Sequence, residues 1–340
     1  MTALSSAELA GVAQAMAGAG EEPAGPLRAE LIAGGRSNLT FGMSDGVRDW
    51  VLRTPPRTGR TPSAHDVVRE LRIVAGLAGS GVPVPRAVVA VEDETLLGGP
   101  FAVTARVRGR TVQSRDDLDR LDDATVAAVV DRLLETLVRL HHVDLEAAGL
   151  AGLGRADAYA ERQLRRWSGQ WEIVGTAEHE ALAREVVDGL RAAVPPQHAV
   201  ALLHGDYRID NTLLDLDGPE PVVTAVLDWE LSALGDPVAD VAVMCAYREP
   251  AFDLVVGVPG AWTSDRLPPP ADLAAAYEAA GGVPLRDWET HRALACLKIA
   301  VIAAGIDHRA RAGSGSGPGF DTAGEAVGPF LELARDALGR

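Results

Sequence analysis

Apolar residues follow two rhythms along the chain, and the change between them divides it. The first stretch is helical in spacing. Leu9, Val12 and Met16 share one stripe, and Ser5 with Glu8 has the spacing of a capping box. Strand-like runs follow over 27–33, 38–43 and 49–53, separated by Gly34-Gly35 and by Asp45-Gly46, a hairpin-turn pair. Pro55 and Pro56 end the third run. Helical spacing returns over 65–78, with Val67, Val68, Leu71, Val74, Ala75 and Ala78 inward, and two more strands are predicted over 86–91 and 101–107. The pattern describes an antiparallel sheet with one inserted helix.

Beyond Arg110 the rhythm is mainly helical. Val126, Val129, Val130, Leu133, Leu137 and Leu140 form one stripe of a core helix over 124–142. Residues 157–171, 176–193, 291–311 and 322–338 predict four more helices, with brief strands over 200–203, 212–216 and 222–227. The GSGSGPG run over 313–319 is a flexible connector and not a phosphate loop, because no strand-to-helix context surrounds it. The expected fold is α+β, with a small antiparallel β lobe over 1–107 followed by a larger, mainly helical lobe over 108–340.

Composition narrows the function classes. The chain is 47% hydrophobic and 24% charged, as in an ordinary globular protein. No apolar run approaches the ~20 residues of a membrane span, and the first 20 residues lack the basic start of a signal peptide. Cys245 and Cys296 are the only cysteines, too few for a disulfide framework, so the expected compartment is the cytoplasm. A net charge of −16 argues against nucleic acid as a partner and is compatible with cationic substrates. Lys298 is the only lysine, a skew that we read as genome composition.

Chemistry concentrates in two stretches, LLHGDYRIDN over 202–211 and AVLDWE over 225–230. Five ionisable or amide residues behind an apolar run exceed what a turn requires. Asp228 ends an apolar strand, a costly place for a carboxylate unless it meets a cation or several donors. Asn211 and Asp228 are oxygen ligands suited to Mg²⁺, and Asp206 could accept the proton of an attacking hydroxyl. A metal on the phosphates, a base for the acceptor and positioning groups are what phosphoryl transfer needs.

HGDYRIDN resembles the catalytic loop HGDxxxxN of the aminoglycoside phosphotransferase (kinase-like) family, and LDWE resembles its metal-binding strand end. GDPVAD over 235–240 resembles the helix start that follows. GGRSNLTF and WVLR resemble the nucleotide-facing strands, and ERQLRRWSGQWE resembles one branch, the kinase domains fused to certain acyl-CoA dehydrogenases. The resemblance spans nearly the whole chain and implies a two-lobed, protein-kinase-like fold that uses ATP and Mg²⁺ to phosphorylate a small-molecule hydroxyl. It implies Asp206 as catalytic base, His204 as a brace of the catalytic loop, and Asn211 and Asp228 as metal ligands. Asp236 and Asp240 would be structural. Arg53 stands where the wider family has lysine, paired with Glu70. Ser37 and Asn38 would meet phosphate, and Thr104 and Arg106 fall where a hinge meets adenine.

Plainer readings exist for several of these positions. Arg53 also reads as a solvated strand end and Glu70 as an exposed helix carboxylate. Arg162, Arg165 and Arg166 read as a solvated face or as an anion site, and Trp167 as packing or as a platform for an acyl chain. Glu230 is either a neighbour of the metal or a cap. Some relatives in the branch phosphorylate 4-hydroxyacyl-CoA thioesters, so the acceptor reading leans to a hydroxyacyl-CoA or another anionic hydroxy compound. An aminoglycoside phosphotransferase and a non-catalytic, pseudokinase-like nucleotide-binding module stand as alternatives. A metal-dependent hydrolase ranks last, since no second histidine sits at ligand spacing.

Overall fold

A computed structural model of the chain describes residues 3–34, 38–56, 66–314 and 317–339. Two compact units emerge. Unit 1 comprises Met1–Gly109 with two short returns, Ala147–Leu150 and Thr224–Leu231, and unit 2 comprises the remainder.

Unit 1 is built on one antiparallel sheet. Helix α1 (Ser6–Gly18) opens it, and the Ser5–Glu8 capping box is formed on both sides. Strands β1 (Arg28–Gly34), β2 (Leu39–Ser44), β3 (Asp49–Thr54), β4 (Ala87–Val91) and β5 (Phe101–Ala105) take the order β1-β2-β3-β5-β4, and helix α2 (Val67–Gly76) lies between β3 and β4 in sequence. The β2–β3 turn is held by Asp45, whose carboxylate accepts the N–H groups of Val47 and Arg48, while Gly46 takes φ 90°. Alternation along β3 decides the rest. Trp50 and Leu52 face a core with Val12, Met16, Phe41, Met43, Phe101 and Val103. Arg53, one residue on, takes the opposite face, where Val67 and Leu71 of α2 pack on Ala102.

Unit 2 is mainly helical. Its helices are α3 (Arg115–Asp119), α4 (Asp123–His141), α5 (Tyr159–Val174), α6 (Glu180–Ala192), α7 (Pro237–Ala246), α8 (Phe252–Val256), α9 (Pro270–Ala279), α10 (Trp288–Arg311) and α11 (Val327–Ala337). Short strands β6 (Ala201–Leu203), β7 (Thr212–Asp215), β8 (Val222–Val226) and β9 (Ala233–Gly235) interrupt them, and β8 carries the chain into unit 1 at Thr224. β6 and β9 pair antiparallel, Ala201 with Gly235 and Leu203 with Ala233. The buried α10 packs against α5, α7 and α11.

Some boundaries differ from the sequence expectation. The helix expected from 176 begins at Glu180, because Thr176 and His179 close a separate turn. The helix expected from 322 begins at Val327, after a 3₁₀ turn over Ala323–Ala326. Helices α3, α8 and α9 and strand β9 were not anticipated.

Helix α2 sits tightly against the return at 147–150. A Cβ at Gly76 would lie 2.7 Å from the Ala148 carbonyl oxygen and 2.8 Å from the Leu150 side chain. Alanine gains up to about 1 kcal/mol of helix propensity there, but overpacking against a backbone atom costs about 1–3 kcal/mol. Gly76→Ala is therefore expected to lower the urea unfolding midpoint; a raised midpoint would show that the contact gives way freely.

Candidate active site

The segment 204–211 is organised within unit 2 by side chains that arrive from distant parts of the chain. It leaves β6 with Gly205 at φ 81°, a left-handed conformation that glycine adopts without strain. Both sides of the Gly205 residue are held. Its N–H donates to Asp240 Oδ1 at 2.7 Å, and its carbonyl accepts from Lys298 Nζ at 2.7 Å. The His204 N–H donates to Asp240 Oδ2, also at 2.7 Å. Asp240 sits in the first turn of α7, which Asp236 caps and Pro237 opens. His141 Nε2 lies 3.3 Å from Asp240 Oδ2, with His141 Nδ1 2.8 Å from the Tyr277 hydroxyl. Burial works against the Asp240 charge, but the hydrogen bond and charge of His141 prevail and hold its pKa below the usual carboxylate range.

Asp206 follows directly. Its N–H donates to His204 Nδ1 at 3.2 Å, and the His204 ring is fully buried. Asn211 Nδ2 donates to both the carbonyl and Oδ2 of Asp206 at 2.8 Å, so its remaining amide oxygen is the atom suited to a cation. Arg208 reaches the two Asp206 carboxylate oxygens at 3.3 Å each and also pairs with Asp210. Its guanidinium lies over Tyr247 and Phe252, at 5.2 and 5.3 Å from the ring centres. Burial alone would raise the Asp206 pKa; Arg208, with Lys298 and His204, brings it below the ordinary value. Asp210 goes the other way, pushed up by burial.

Unit 1 holds a second cluster. Arg53 Nη1 pairs with Glu70 at 2.9 Å and Arg53 Nη2 with Asp228 at 3.3 Å, while Asn38 Nδ2 donates to Glu70 at 3.2 Å. Burial opposes the Arg53 charge, yet Glu70 and Asp228 raise its pKa. Glu70 is pushed up to about 7, chiefly by burial, with Asp228 and Glu230 adding repulsion that Arg53 only partly offsets. One guanidinium thus serves three carboxylates. Asp228 itself has φ 63°, a strained conformation that a non-glycine residue keeps only where its surroundings enforce it. Trp229, whose ring N–H donates to the Val226 carbonyl at 3.1 Å, helps enforce it.

Among the described residues, no group of three or more His, Cys, Asp or Glu side chains could by itself hold a metal ion. Mg²⁺ needs no such cage, since it takes one or two carboxylates together with phosphates and water. Asn211 in unit 2 and Asp228 in unit 1 each carry an oxygen donor of that kind.

The family model described as the phosphotransferase enzyme family matches residues 28–294. The chain belongs to this family. Acyl-CoA dehydrogenase family member 10 of Mus musculus is 33% identical over 321 residues, which is 93% of this chain and 30% of that relative, so the chain spans under a third of the relative's length. A Ralstonia eutropha protein crystallised as a candidate aminoglycoside phosphotransferase matches with TM-score 0.78 at 30% identity, covering 93% of each chain. A thermostable mutant of aminoglycoside phosphotransferase APH(4)-Ia, in ternary complex with AMP-PNP and hygromycin B, shares the fold at TM-score 0.60 and 19% identity, over 90% of this chain and 93% of that one. The chain is therefore a small-molecule phosphotransferase with the kinase-like α+β fold.

Within this phosphotransferase the other expected residues are placed as follows. Ser37 lies outside the described residues. Thr104 sits in β5 between Val51 of β3 and Ala87 of β4, and the Arg106 N–H is spent on the Asp49 carbonyl at 3.0 Å, so it is not a free donor for a base. Glu230 belongs to the Arg53 cluster in unit 1, whereas α5 belongs to unit 2. The α5 arginines have neighbours of their own. Arg165 pairs with Glu161 at 2.7 Å, and Arg162 donates to the Arg155 carbonyl at 2.7 Å. Exposed Arg166 lies over the ring of Trp167, 4.9 Å from its centre. Trp167 and Trp171 are buried and donate to Gln163 and Glu180. Read from composition, Lys298 was passed over; it is a buried brace of the 204–211 loop.

Two outcomes are expected from these environments. Glu70 has its folded pKa raised from 4.5 to about 7, so the folded state binds the extra proton, and the stability it contributes is lost as pH rises through that window. Glu70→Gln, which does not titrate, should gain stability relative to the parent between pH 5 and 8 in urea unfolding, while its nucleotide affinity falls. A constant difference across that range would refute the raised pKa. Lys298→Met leaves the Gly205 carbonyl without its donor, at a cost of about 1–3 kcal/mol. Turnover should fall by roughly tenfold or more, since small misplacements of catalytic groups are costly, with the KM for nucleotide nearly unchanged. Unchanged turnover would make the lysine mere packing.

Proposed function

We propose that this phosphotransferase moves the γ-phosphoryl group of ATP to the hydroxyl of a small molecule in the cytoplasm, with Mg²⁺ and without nucleic acid or a membrane as partner. The observation that carries the reading is the state of Asp206, ionised and oriented by Asn211 and Arg208 on a loop clamped at Gly205. The acceptor oxygen attacks the γ-phosphorus, its proton passes to the Asp206 carboxylate, and the bond to the β,γ-bridging oxygen breaks to release ADP. Asn211 and Asp228 offer oxygens to Mg²⁺, which when bound neutralises charge on the phosphates. Arg53, oriented by Glu70, offers a guanidinium to phosphate oxygens in the role that lysine fills more often. Support for nucleotide comes from APH(4)-Ia, which binds AMP-PNP.

For the acceptor we favour a hydroxyacyl-CoA or similar hydroxy compound. The support is the relation to acyl-CoA dehydrogenase family member 10 along nearly the whole chain. The competing reading is an aminoglycoside, since APH(4)-Ia binds hygromycin B.

The deciding experiment follows ADP release with Mg²⁺, ATP and either 4-hydroxyacyl-CoA or kanamycin. The thioester should be turned over in preference, and Asp206→Asn should lower kcat by roughly 10²–10⁴-fold, the usual contribution of a general base. Asp228→Ala should abolish Mg²⁺-dependent ATP binding in calorimetry. Near-normal turnover by Asp206→Asn overturns the base assignment, and phosphorylation of kanamycin alone overturns the acceptor reading.

A further inference from the structure

A pocket of about 200 Å³ opens in unit 2 beside the catalytic loop. Arg208 and Asp210 form one end, and Phe252, Val256, Val258 and Trp262 supply most of the remaining wall. Arg208 also touches both carboxylate oxygens of Asp206, so one side chain borders the pocket and the base alike. The wall is pre-built. Asp253 Oδ1 accepts from the Gly260 N–H at 2.9 Å and from the Thr263 hydroxyl at 2.6 Å, and Arg115 pairs with Asp253 Oδ2 at 2.7 Å. Arg248 donates to the carbonyls of Trp262, Ser264, Leu267 and Pro268, and the Trp262 ring N–H donates to the Met244 carbonyl at 3.0 Å.

Charge in this pocket is already balanced. The Arg208 guanidinium is shared between Asp206 and Asp210, leaving no spare cation for an anionic group. Asp210 is the only carboxylate in the lining and is itself paired, too little for a polycation. Apolar surface is what the pocket offers. At roughly 30 Å³ per small group, it has room for about seven non-hydrogen atoms.

Building on the kinase reading above, we propose that this pocket receives an uncharged, apolar segment of the acceptor next to its reacting hydroxyl, and so selects acceptors by the length of that segment. Any charged part of the acceptor stays outside the Phe252–Trp262 wall.

The test uses neutral alcohols as probes on the full chain. Binding of n-propanol, n-hexanol and kanamycin is measured by saturation-transfer NMR, alongside calorimetry with MgATP. Hexanol should bind at least tenfold more tightly than propanol, because each added buried methylene contributes. Val258 is exposed at the pocket wall, so Val258→Trp fills the space without disturbing a core. That variant should weaken hexanol binding at least tenfold while its urea midpoint and MgATP affinity stay near the parent's. Hexanol binding that survives in Val258→Trp, or equal binding of hexanol and propanol, overturns the proposal. So does kanamycin binding that Val258→Trp removes. Failure of the kinase reading itself looks different: the parent chain then binds hexanol as stated but neither binds nor consumes MgATP.

Discussion

The Asp240 side chain has no exposed surface, and a buried carboxylate is tolerable only when donors take up its lone pairs. The donors it finds are the consecutive N–H groups of His204 and Gly205, with the His141 ring behind them. That requirement fixes the start of the 204–211 loop. With both N–H groups committed to α7 and the Gly205 carbonyl committed to Lys298 on α10, the backbone before Asp206 has little freedom left. The helices need not present any catalytic group themselves. They hold the loop, and the loop presents Asp206, an arrangement in which positioning is set before any ligand arrives.

The two carboxylate environments are tuned in opposite directions by the same two forces. Asp206 is deeply buried but faces cations, with Arg208 foremost, and stays ionised. Glu70 is also buried, but its cation must satisfy Asp228 and Glu230 as well, so its proton is held up to about pH 7. The unit 1 cluster therefore carries an excess of negative charge, and the strained backbone at Asp228 adds to its cost. Both features lower stability.

Much of the fold was legible because its signals are local. The capping box at Ser5, the Asp45-Gly46 turn and the α4 stripe each declare an element without reference to the rest of the chain. Where tertiary burial replaces amphipathicity the signal fails. Every residue of α7 is buried, so only its Asp-Pro start could be read, and α9 begins inside a run of three prolines that hides a Pro at its first helical position. The 204–211 segment was legible as a motif, with His204 and Asp240 expected among its supports, but Lys298 was not. A lone lysine on an apolar helix carries no period or partner in sequence, and only the fold brings Lys298 to Gly205. On α5 the Arg165–Glu161 pair did have a usable signal, since Glu161 stands four residues before Arg165, the spacing of an ion pair along a helix.

Asp206, the base in the proposed reaction, has a depressed pKa, which looks ill suited to removing a proton from an alcohol. The difficulty dissolves if phosphoryl transfer proceeds through a loose transition state, in which the acceptor oxygen carries little new bond and its proton leaves late. The task is then to aim the hydroxyl and to take the proton once bonding to phosphorus has made it acidic. In that proposed role Asp206 has the geometry for aiming. Its carbonyl and carboxylate are both fixed by Asn211, and both its carboxylate oxygens by Arg208. A carboxylate with a raised pKa would be the stronger base, but it would spend part of its time protonated and would then donate to the acceptor oxygen instead of orienting it. By pairing Asp206 with Arg208, the loop trades basicity for a constant charge state, the better choice where geometry sets the rate.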